Sequence, residues 1–159
     1  MGQKVNPIAF RTGVMEGWKS RWYAPKAEFA TLLVEDKKIR DFVQKHPTQN
    51  YKAAGIDRVE IERTRDEVKV TLFVARPGLI IGKKGQEVER LQNEMQNLIG
   101  RRINLKVEEI GRPDLQAQLV AEKISEQLQR RASFRRTMKR AAEESMDAGA
   151  KGIKVQLAG

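Results

Sequence analysis

The sequence predicts an α+β fold: a three-stranded sheet with helices on one face, followed by the start of a second α/β domain. Three observations predict it. Apolar residues alternate with polar ones at Val59–Glu62, Val68–Val74 and Ile103–Val107, the period of half-buried strands. Between the last two lies the segment 85–99. Its Val88, Leu91, Met95, Leu98 and Ile99 fall at i, i+3, i+7, i+10 and i+11, one apolar stripe of a helix. The resulting order (helix, strand, strand, loop, helix, strand) packs into one compact layer pair.

Residues 1–26 read as an irregular basic arm. Lys4, Arg11, Lys19, Arg21 and Lys26 face one acid, Glu16, and Pro7, Gly13, Gly17 and Pro25 discourage a helix. Trp18, Trp22 and Tyr23 are interleaved with Lys19 and Arg21. They either pin the arm to the domain or stack on RNA bases, and both readings stand. Residues 27–46 read as a helix with apolar Phe29, Leu32, Leu33, Ile39, Phe42 and Val43, allowing a break near Glu35-Asp36. Lys45-His46-Pro47 ends it, because the residue before proline avoids helical dihedrals. Residues 48–55 read as a polar loop, and Thr64-Arg65-Asp66-Glu67 as a hairpin turn. Pro77 and Gly78 stop the second strand, and Gly100 closes the helix over 85–99.

Gly111-Arg112-Pro113 is a connector. Asp114 is expected to cap the next helix, with Ala117, Val120, Ala121, Ile124 and Leu128 as its stripe. Continued in phase, that helix would bury Arg131 and Arg135, which is costly. A break near Ala132-Ser133 follows, with Ser133 capping a new helix whose stripe is Phe134, Met138, Ala141 and Ser145. It ends around Ala148-Gly149. Ile153, Val155 and Leu157 then predict a last strand.

Composition narrows the partners. A chain of 159 residues is long enough to hold a core without staples. It has no cysteine, so disulfides, thiolate metal sites and a cysteine nucleophile are excluded; that fits a reducing cytoplasm. His46 is the one histidine, and it reads as a surface loop residue rather than a ligand or base. Lys plus Arg is 31 and Asp plus Glu is 21, a net charge of +10. The expected partner is a polyanion: nucleic acid first, a membrane surface or acidic protein second. No apolar stretch is long enough to span a bilayer, and no signal-peptide core is present. Asn6 stands where a myristoylation signal needs Ser or Thr.

One motif carries specific chemistry. In Ile80-Ile81-Gly82-Lys83-Lys84-Gly85-Gln86-Glu87-Val88, two glycines three apart let the backbone turn tightly and let a ligand approach it. The helix beginning near Gly85 aims free N–H groups and a partial positive charge at the loop, and Lys83 and Lys84 add two full charges. The best ligand for such a site is a phosphate. A Walker loop is excluded, because only three residues stand between Gly78 and Gly82 and Lys84 follows Lys83; Gly-x-Gly is absent too.

A second basic site lies between Leu128 and Arg140. Arg130, Arg131, Arg135, Arg136, Lys139 and Arg140 occur there with no acid among them. Helical phase puts Arg135, Arg136 and Lys139 within an arc of about 100° opposite Phe134, Met138 and Ala141. Like charges on adjacent turns repel, so the array costs stability unless an anion offsets it.

The Ile-Ile-Gly-Lys-Lys-Gly-x-x-Val segment resembles the Gly-x-x-Gly loop of a KH domain, which clamps about four backbone nucleotides of single-stranded RNA. The preceding helix and two strands resemble the type II, prokaryotic arrangement. The segments 1–7, 18–22, 75–78, 134–140 and 149–154 are similar to the bacterial small-subunit ribosomal protein three family. The resemblance covers essentially the whole chain. It implies a basic arm over 1–26, a type II KH domain over 27–111 with its core about 39–111, and over 112–159 the helices and first strand of a C-terminal α/β domain. That family continues past the position of Gly159, so a fragment or shortened form is expected, with the last strand a loose edge. The segment Thr48–Gly55 is slightly longer than in typical members, expected as loop variation.

The resemblance further implies a structural constituent of the small ribosomal subunit, cytoplasmic, in the subunit head at the entrance of the messenger RNA (mRNA) channel. Ribosomal RNA would be held by Gly82, Lys83, Lys84 and Gly85, and by Lys4, Arg11, Lys19, Arg21, Trp22, Arg130, Arg131 and Arg140. Arg135, Arg136 and Lys139 would line the channel and assist unwinding of structured mRNA. Other head proteins and proteins at the channel mouth are the implied neighbours. No catalytic residue, metal, cofactor or membrane is expected. A free-standing KH-type RNA-binding regulator is the alternative. A phosphate-handling enzyme using Lys83 or Lys84 finds no histidine cluster, metal box or nucleotide loop to support it.

Overall fold

The computed structural model describes residues 2–45 and 49–158, the side chains of residues 49, 50, 52 and 83 apart. The expected helix end at Lys45-His46-Pro47 and the His46 loop therefore lie outside the described residues. The elements are α1 (Pro7–Arg11), β1 (Ser20–Arg21), α2 (Lys26–Lys45), α3 (Gln49–Ala54), β2 (Ile56–Arg63), β3 (Glu67–Val74), α4 (Pro77–Ile81), α5 (Gln86–Ile99), β4 (Arg102–Glu109), α6 (Ala117–Gln129) and α7 (Phe134–Asp147).

The sheet runs β1-β2-β3-β4. β2 and β3 form the expected antiparallel hairpin, closed where the Thr64 N–H donates to the Glu67 carbonyl at 3.0 Å. β3 and β4 are parallel in register from Glu67↔Arg102 to Val74↔Glu109. Parallel neighbours need a crossover, which α4 and α5 supply. Strand alternation sends Val59, Ile61, Val68, Val70, Leu72, Val74 and Ile103 to one face. There they meet Ile39 and Val43 of α2, Tyr51 and Ala54 of α3, Ile80 of α4, and Leu91 and Met95 of α5 in a single core. Each such fully buried aliphatic side chain contributes about 1.5–3 kcal/mol.

Several expectations are corrected. The arm is not irregular throughout. Pro7 opens the short helix α1, since proline at the first helical position removes an N–H that would be unpaired anyway, and Asn6 Oδ1 accepts from Ile8 N at 2.9 Å and Ala9 N at 3.2 Å. Further on, Ser20 and Arg21 add a fourth strand to the sheet, parallel to β2 (Ser20↔Ile61, Arg21↔Glu62). Two residues carry no readable alternation, so this strand left no trace in the sequence pattern.

α2 continues through Glu35-Asp36 without a break. Its inward stripe is Leu32, Asp36, Ile39 and Val43, while Phe29 and Leu33 remain about half exposed. Asp36 is fully buried, and four donors satisfy its carboxylate: Ser20 Oγ (2.7 Å), Trp22 Nε1 (2.8 Å), Arg63 Nε (2.8 Å) and Arg63 Nη2 (2.6 Å). Arg63 also reaches Glu35 Oε2 at 2.7 Å. A buried carboxylate is tolerable only with such pairing. Residues 49–54 form α3 rather than a polar loop, because Tyr51 and Ala54 bury their side chains in the core.

In the C-terminal part Asp114 lies in a short 3₁₀ turn, Pro113–Leu115, and Gln116 occupies the cap of α6. Asp114 instead faces Lys123 at 3.6 Å. α6 buries Leu119, Val120 and Ile124, leaving Ala117 and Ala121 exposed. The break expected near Ala132-Ser133 separates α6 from α7, but the Ser133 side chain makes no capping bond. α7 buries Thr137, Ala141 and Ser145, whereas Phe134 is exposed. Val120, Ile124 and Ala141 form a second small core with Leu128 and Val155. The strand expected at Ile153–Leu157 does not form. A strand needs a ladder partner, and among the described residues none runs beside it; Val155 packs on the helix pair instead.

Candidate nucleic-acid interface

The glycine loop is built on left-handed backbone. Gly82 has φ +68°, Lys84 φ +56° and Gly85 φ +81°. At Gly82 glycine is required twice over. A Cβ would lie 2.6 Å from Glu87 Cγ and 2.9 Å from Glu87 Cβ, besides the unfavourable φ. Gly85 occupies the cap position of α5 and, having no side chain, leaves the first N–H groups of that helix free. Lys84 is exposed beside them. The loop thus has the tight left-handed backbone that its glycine spacing predicts, beside the uncapped start of α5. The structure adds an acid to it: Glu87, half-buried in the first turn of α5, packs under Gly82. Glu87 is also felt across the helix interface. Burial pushes the Tyr51 hydroxyl above its ordinary pKa, and Glu87 and Glu94 push it further.

The six cations between Leu128 and Arg140 gather where α6 turns into α7, and all six are exposed. The turn is a Schellman motif: Ala132 N–H donates to the Gln127 carbonyl at 3.1 Å and Arg131 N–H to the Leu128 carbonyl at 2.9 Å. Arg131, at φ +60°, holds the left-handed position that glycine usually fills. Acids just outside the basic run engage three of the six. Arg130 pairs with Glu126, Lys139 with Glu143 at 3.7 Å, and Arg140 with Glu144 at 2.9 Å. Lys123 and Arg140 together hold the Glu144 carboxyl below its ordinary pKa. Arg131, Arg135 and Arg136 meet no acid among the described residues, and Arg135 lies 5.6 Å from the exposed Phe134 ring. On α7, Arg135 and Lys139 are one turn apart, as are Arg136 and Arg140.

The arm divides its duties. Lys4, Arg11 and Lys19 are exposed, with Arg11 also donating to the Pro7 carbonyl at 3.0 Å. Arg21 bonds Glu60 at 2.7 Å and stands 3.7 Å from Glu62 on β2. Trp22 is the pin: its indole N–H is held by Asp36 and its ring packs 5.2 Å from Phe29. Trp18 and Tyr23 leave their rings in solvent, at 68% and 96% exposure. The hub that fixes the arm, Asp36 with Ser20 and Arg63, escaped sequence reasoning. The available signal was an acid in phase with the apolar stripe of α2, which obliges a basic partner elsewhere.

Among the described residues no group of histidine, cysteine, aspartate or glutamate could hold a metal ion. Among the described residues no helix is long and apolar enough to cross a membrane.

Comparison with known proteins follows the same division. The KH domain family matches residues 38–115, from within α2 to the turn before α6. The C-terminal domain of ribosomal protein S3 matches residues 124–159. Small ribosomal subunit protein uS3 of Rhodopirellula baltica is 76% identical over 160 residues, covering all of this chain and 68% of that protein. The chain belongs to the uS3 family. The uS3 proteins of Pediococcus pentosaceus and Protochlamydia amoebophila are 49% and 50% identical, again over this whole chain and over 69% and 72% of theirs. As a uS3-family chain it is a structural, RNA-binding constituent of the small ribosomal subunit and not an enzyme. The glycine loop lies inside the KH match, and Arg130 to Arg140 inside the S3 C-terminal match.

Proposed function

We propose that this chain anchors ribosomal RNA in the head of the small subunit and contacts mRNA at the entrance of its channel. Ribosomal RNA takes the Gly82-Lys83-Lys84-Gly85 loop, the arm residues Lys4, Arg11, Lys19, Arg21 and Trp22, and Arg130, Arg131 and Arg140. Arg135, Arg136 and Lys139 face the message, and other head proteins and those at the channel mouth are the neighbours. The chain divides into an arm (1–26), a type II KH domain (27–111) and a C-terminal part (112–159) that is helical in this structure. The observation that carries this reading is the exposed face of α7, where Arg135 and Arg136 have no acid among the described residues to neutralise them. Arg135 faces Lys139 and Arg136 faces Arg140 one turn along α7, and such like-charge pairs cost stability that an RNA phosphate offsets. No catalysis is needed for unwinding. Cations that grip separated strands lower the free energy of the open form, and translocation supplies the work.

The test is translation by ribosomes carrying Arg135→Ala, Arg136→Ala and Lys139→Ala together. Passage through a message hairpin slows, while an unstructured message is read at the normal rate. Equal rates on both messages would remove the channel role.

A further inference from the structure

The elbow between α6 and α7 encloses a cleft of about 240 Å³ lined by Gln127, Ala132, Ser133, Arg136, Thr137 and Arg140. No acid lines it. Three features converge there. The first intrahelical bond of α7 runs from Thr137 N to the Ser133 carbonyl, so the N–H groups of Phe134, Arg135 and Arg136 have no backbone partner. Arg136 and Arg140 stand one turn apart on the wall. Thr137 is only 4% exposed, and its hydroxyl has no hydrogen-bond partner among the described residues. That hydroxyl is not sealed in the core either: among the described residues the one occluded, unpaired side-chain atom is Ser145 Oγ. The Thr137 oxygen therefore keeps solvent access, and Thr137 is one of the residues that line the cleft.

A hydroxyl held in place and left without a partner, next to free N–H groups and two guanidinium groups, fits one ligand chemistry. We infer that the α6–α7 cleft seats a single RNA backbone phosphate, with the Thr137 hydroxyl and the first N–H groups of α7 as its neutral donors and Arg136 and Arg140 as its charged ones. The inference deepens the proposed RNA contact on α7 and rests on it. It gives Thr137, which carries no charge, a part in binding, and it makes the contact a seat of defined geometry rather than a diffuse field. The charged donors supply counterion release, and the neutral ones select the tetrahedral anion.

The test uses the full chain and a single-stranded oligouridylate, followed by amide NMR and by binding across a salt series. Oligouridylate shifts the amides of Phe134, Arg135 and Arg136. Thr137→Val keeps the β-branched shape and loses one neutral hydrogen bond, so affinity falls about fivefold with an unchanged salt slope. Thr137→Ser restores binding. Arg136→Gln lowers the slope by about one. If Thr137→Val folds with native amide dispersion and binds like the parent, the seat is refuted; if it misfolds, Thr137→Ser and the amide shifts of the parent decide. Arg135→Ala with Lys139→Ala is measured alongside: lost binding there with an indifferent Thr137→Val would leave the α7 contact standing and remove the seat alone. A photocrosslinking residue at Gln127 in assembled small subunits identifies the strand. A crosslink to ribosomal RNA without message assigns the phosphate to ribosomal RNA, one that requires message assigns it to mRNA, and a crosslink to neither overturns the inference.

Discussion

Arg131 offers a test that separates stability from binding within one side chain. It sits at φ +60° in the Schellman turn ending α6, a conformation that costs a non-glycine residue about 1–2 kcal/mol. Replacing it by glycine removes that cost. Glycine returns part of the gain through its greater freedom in the unfolded chain, about 0.5–1 kcal/mol. The net expectation for Arg131→Gly is a protein more stable by about 0.5–1 kcal/mol, or about 1–4 °C in Tm for a chain of this size. Arg131→Ala is the control, because it loses the same charge but keeps the strained backbone. Both variants shed like-charge repulsion with their neighbours, so the difference between them isolates the backbone. Both also lose one cation, which lowers the salt slope of RNA binding by about 0.7–0.9. Urea denaturation and oligonucleotide titration across a salt series measure the two effects. If Arg131→Gly is no more stable than Arg131→Ala, the strain argument fails. If neither variant changes the salt slope, Arg131 is not an RNA contact of the isolated chain.

Three further outcomes follow from the structure. Asp36→Ala leaves Arg63 buried without its main anion and frees Trp22, so stability falls by about 3–5 kcal/mol and Trp22 fluorescence shifts towards that of an exposed indole. Chemical denaturation followed by tryptophan emission reads both, and an unchanged midpoint would deny the hub its role. Gly82→Ala forces a Cβ against Glu87 in a backbone conformation unfavourable to alanine, destabilising by about 1–2 kcal/mol, and a thermal melt equal to the parent's would contradict the geometry. For pH, the Glu144 carboxyl is held below its ordinary value by Lys123 and Arg140. Its stabilising contribution is therefore full above the unfolded-state pKa and is lost as pH falls through the depressed folded value. The pairs are solvent-exposed, so the contribution is at most about 1 kcal/mol; Glu144→Gln flattens the acid limb of a Tm–pH profile, and an identical limb would show the pairs to be inert.

What the sequence revealed, and what it hid, follows from how far each signal reaches. β2, β3, β4 and α5 were legible because a single element carries its whole pattern: alternation in a strand, or the stripe from Val88 to Ile99 in a helix. The elbow at Ala132-Ser133 was legible because unbroken phase would have buried arginines. The failures share another cause. β1 exists only because Asp36, fifteen residues further on, and Arg63, at the end of β2 beyond two helices, hold Ser20 and Trp22 in place. α3 looks polar in isolation and forms because Tyr51 and Ala54 have a core to enter. Leu33 and Phe134 are apolar and near the right phase yet stay about half exposed, and Phe29 is covered only in part, by Trp22. The alternation from Ile153 to Leu157 is a genuine strand pattern without a ladder to join. In the interface, the cations were visible from composition alone, whereas Arg131's left-handed backbone, the acids that engage half of the basic run and the open hydroxyl of Thr137 needed coordinates.

Glu87 changes what the glycine loop can do. On sequence the loop is an anion site with two lysines; in the fold the first turn of α5 brings the half-buried acid Glu87 against Gly82 through its Cβ and Cγ. An acid there is favourable to the isolated helix, whose N-terminus carries partial positive charge. It is unfavourable to a phosphate arriving at the same N–H groups. Two unit charges 4 Å apart in water repel by about 1 kcal/mol, so an RNA strand seated on the loop binds about fivefold more weakly than the backbone alone would permit. Glu87→Gln should therefore raise oligonucleotide affinity by about fivefold at low salt, with the gain fading as salt screens it. The variant carries its own control, because removing the Glu87 charge lets the Tyr51 hydroxyl titrate at lower pH whether or not RNA is bound. A lowered Tyr51 titration with unchanged affinity would mean that the charge had been removed correctly and that the loop carries no RNA in that complex. The loop would then be an element of the KH core whose backbone suits a phosphate it does not hold, and the RNA contacts of the chain would fall to the arm and the α6–α7 elbow.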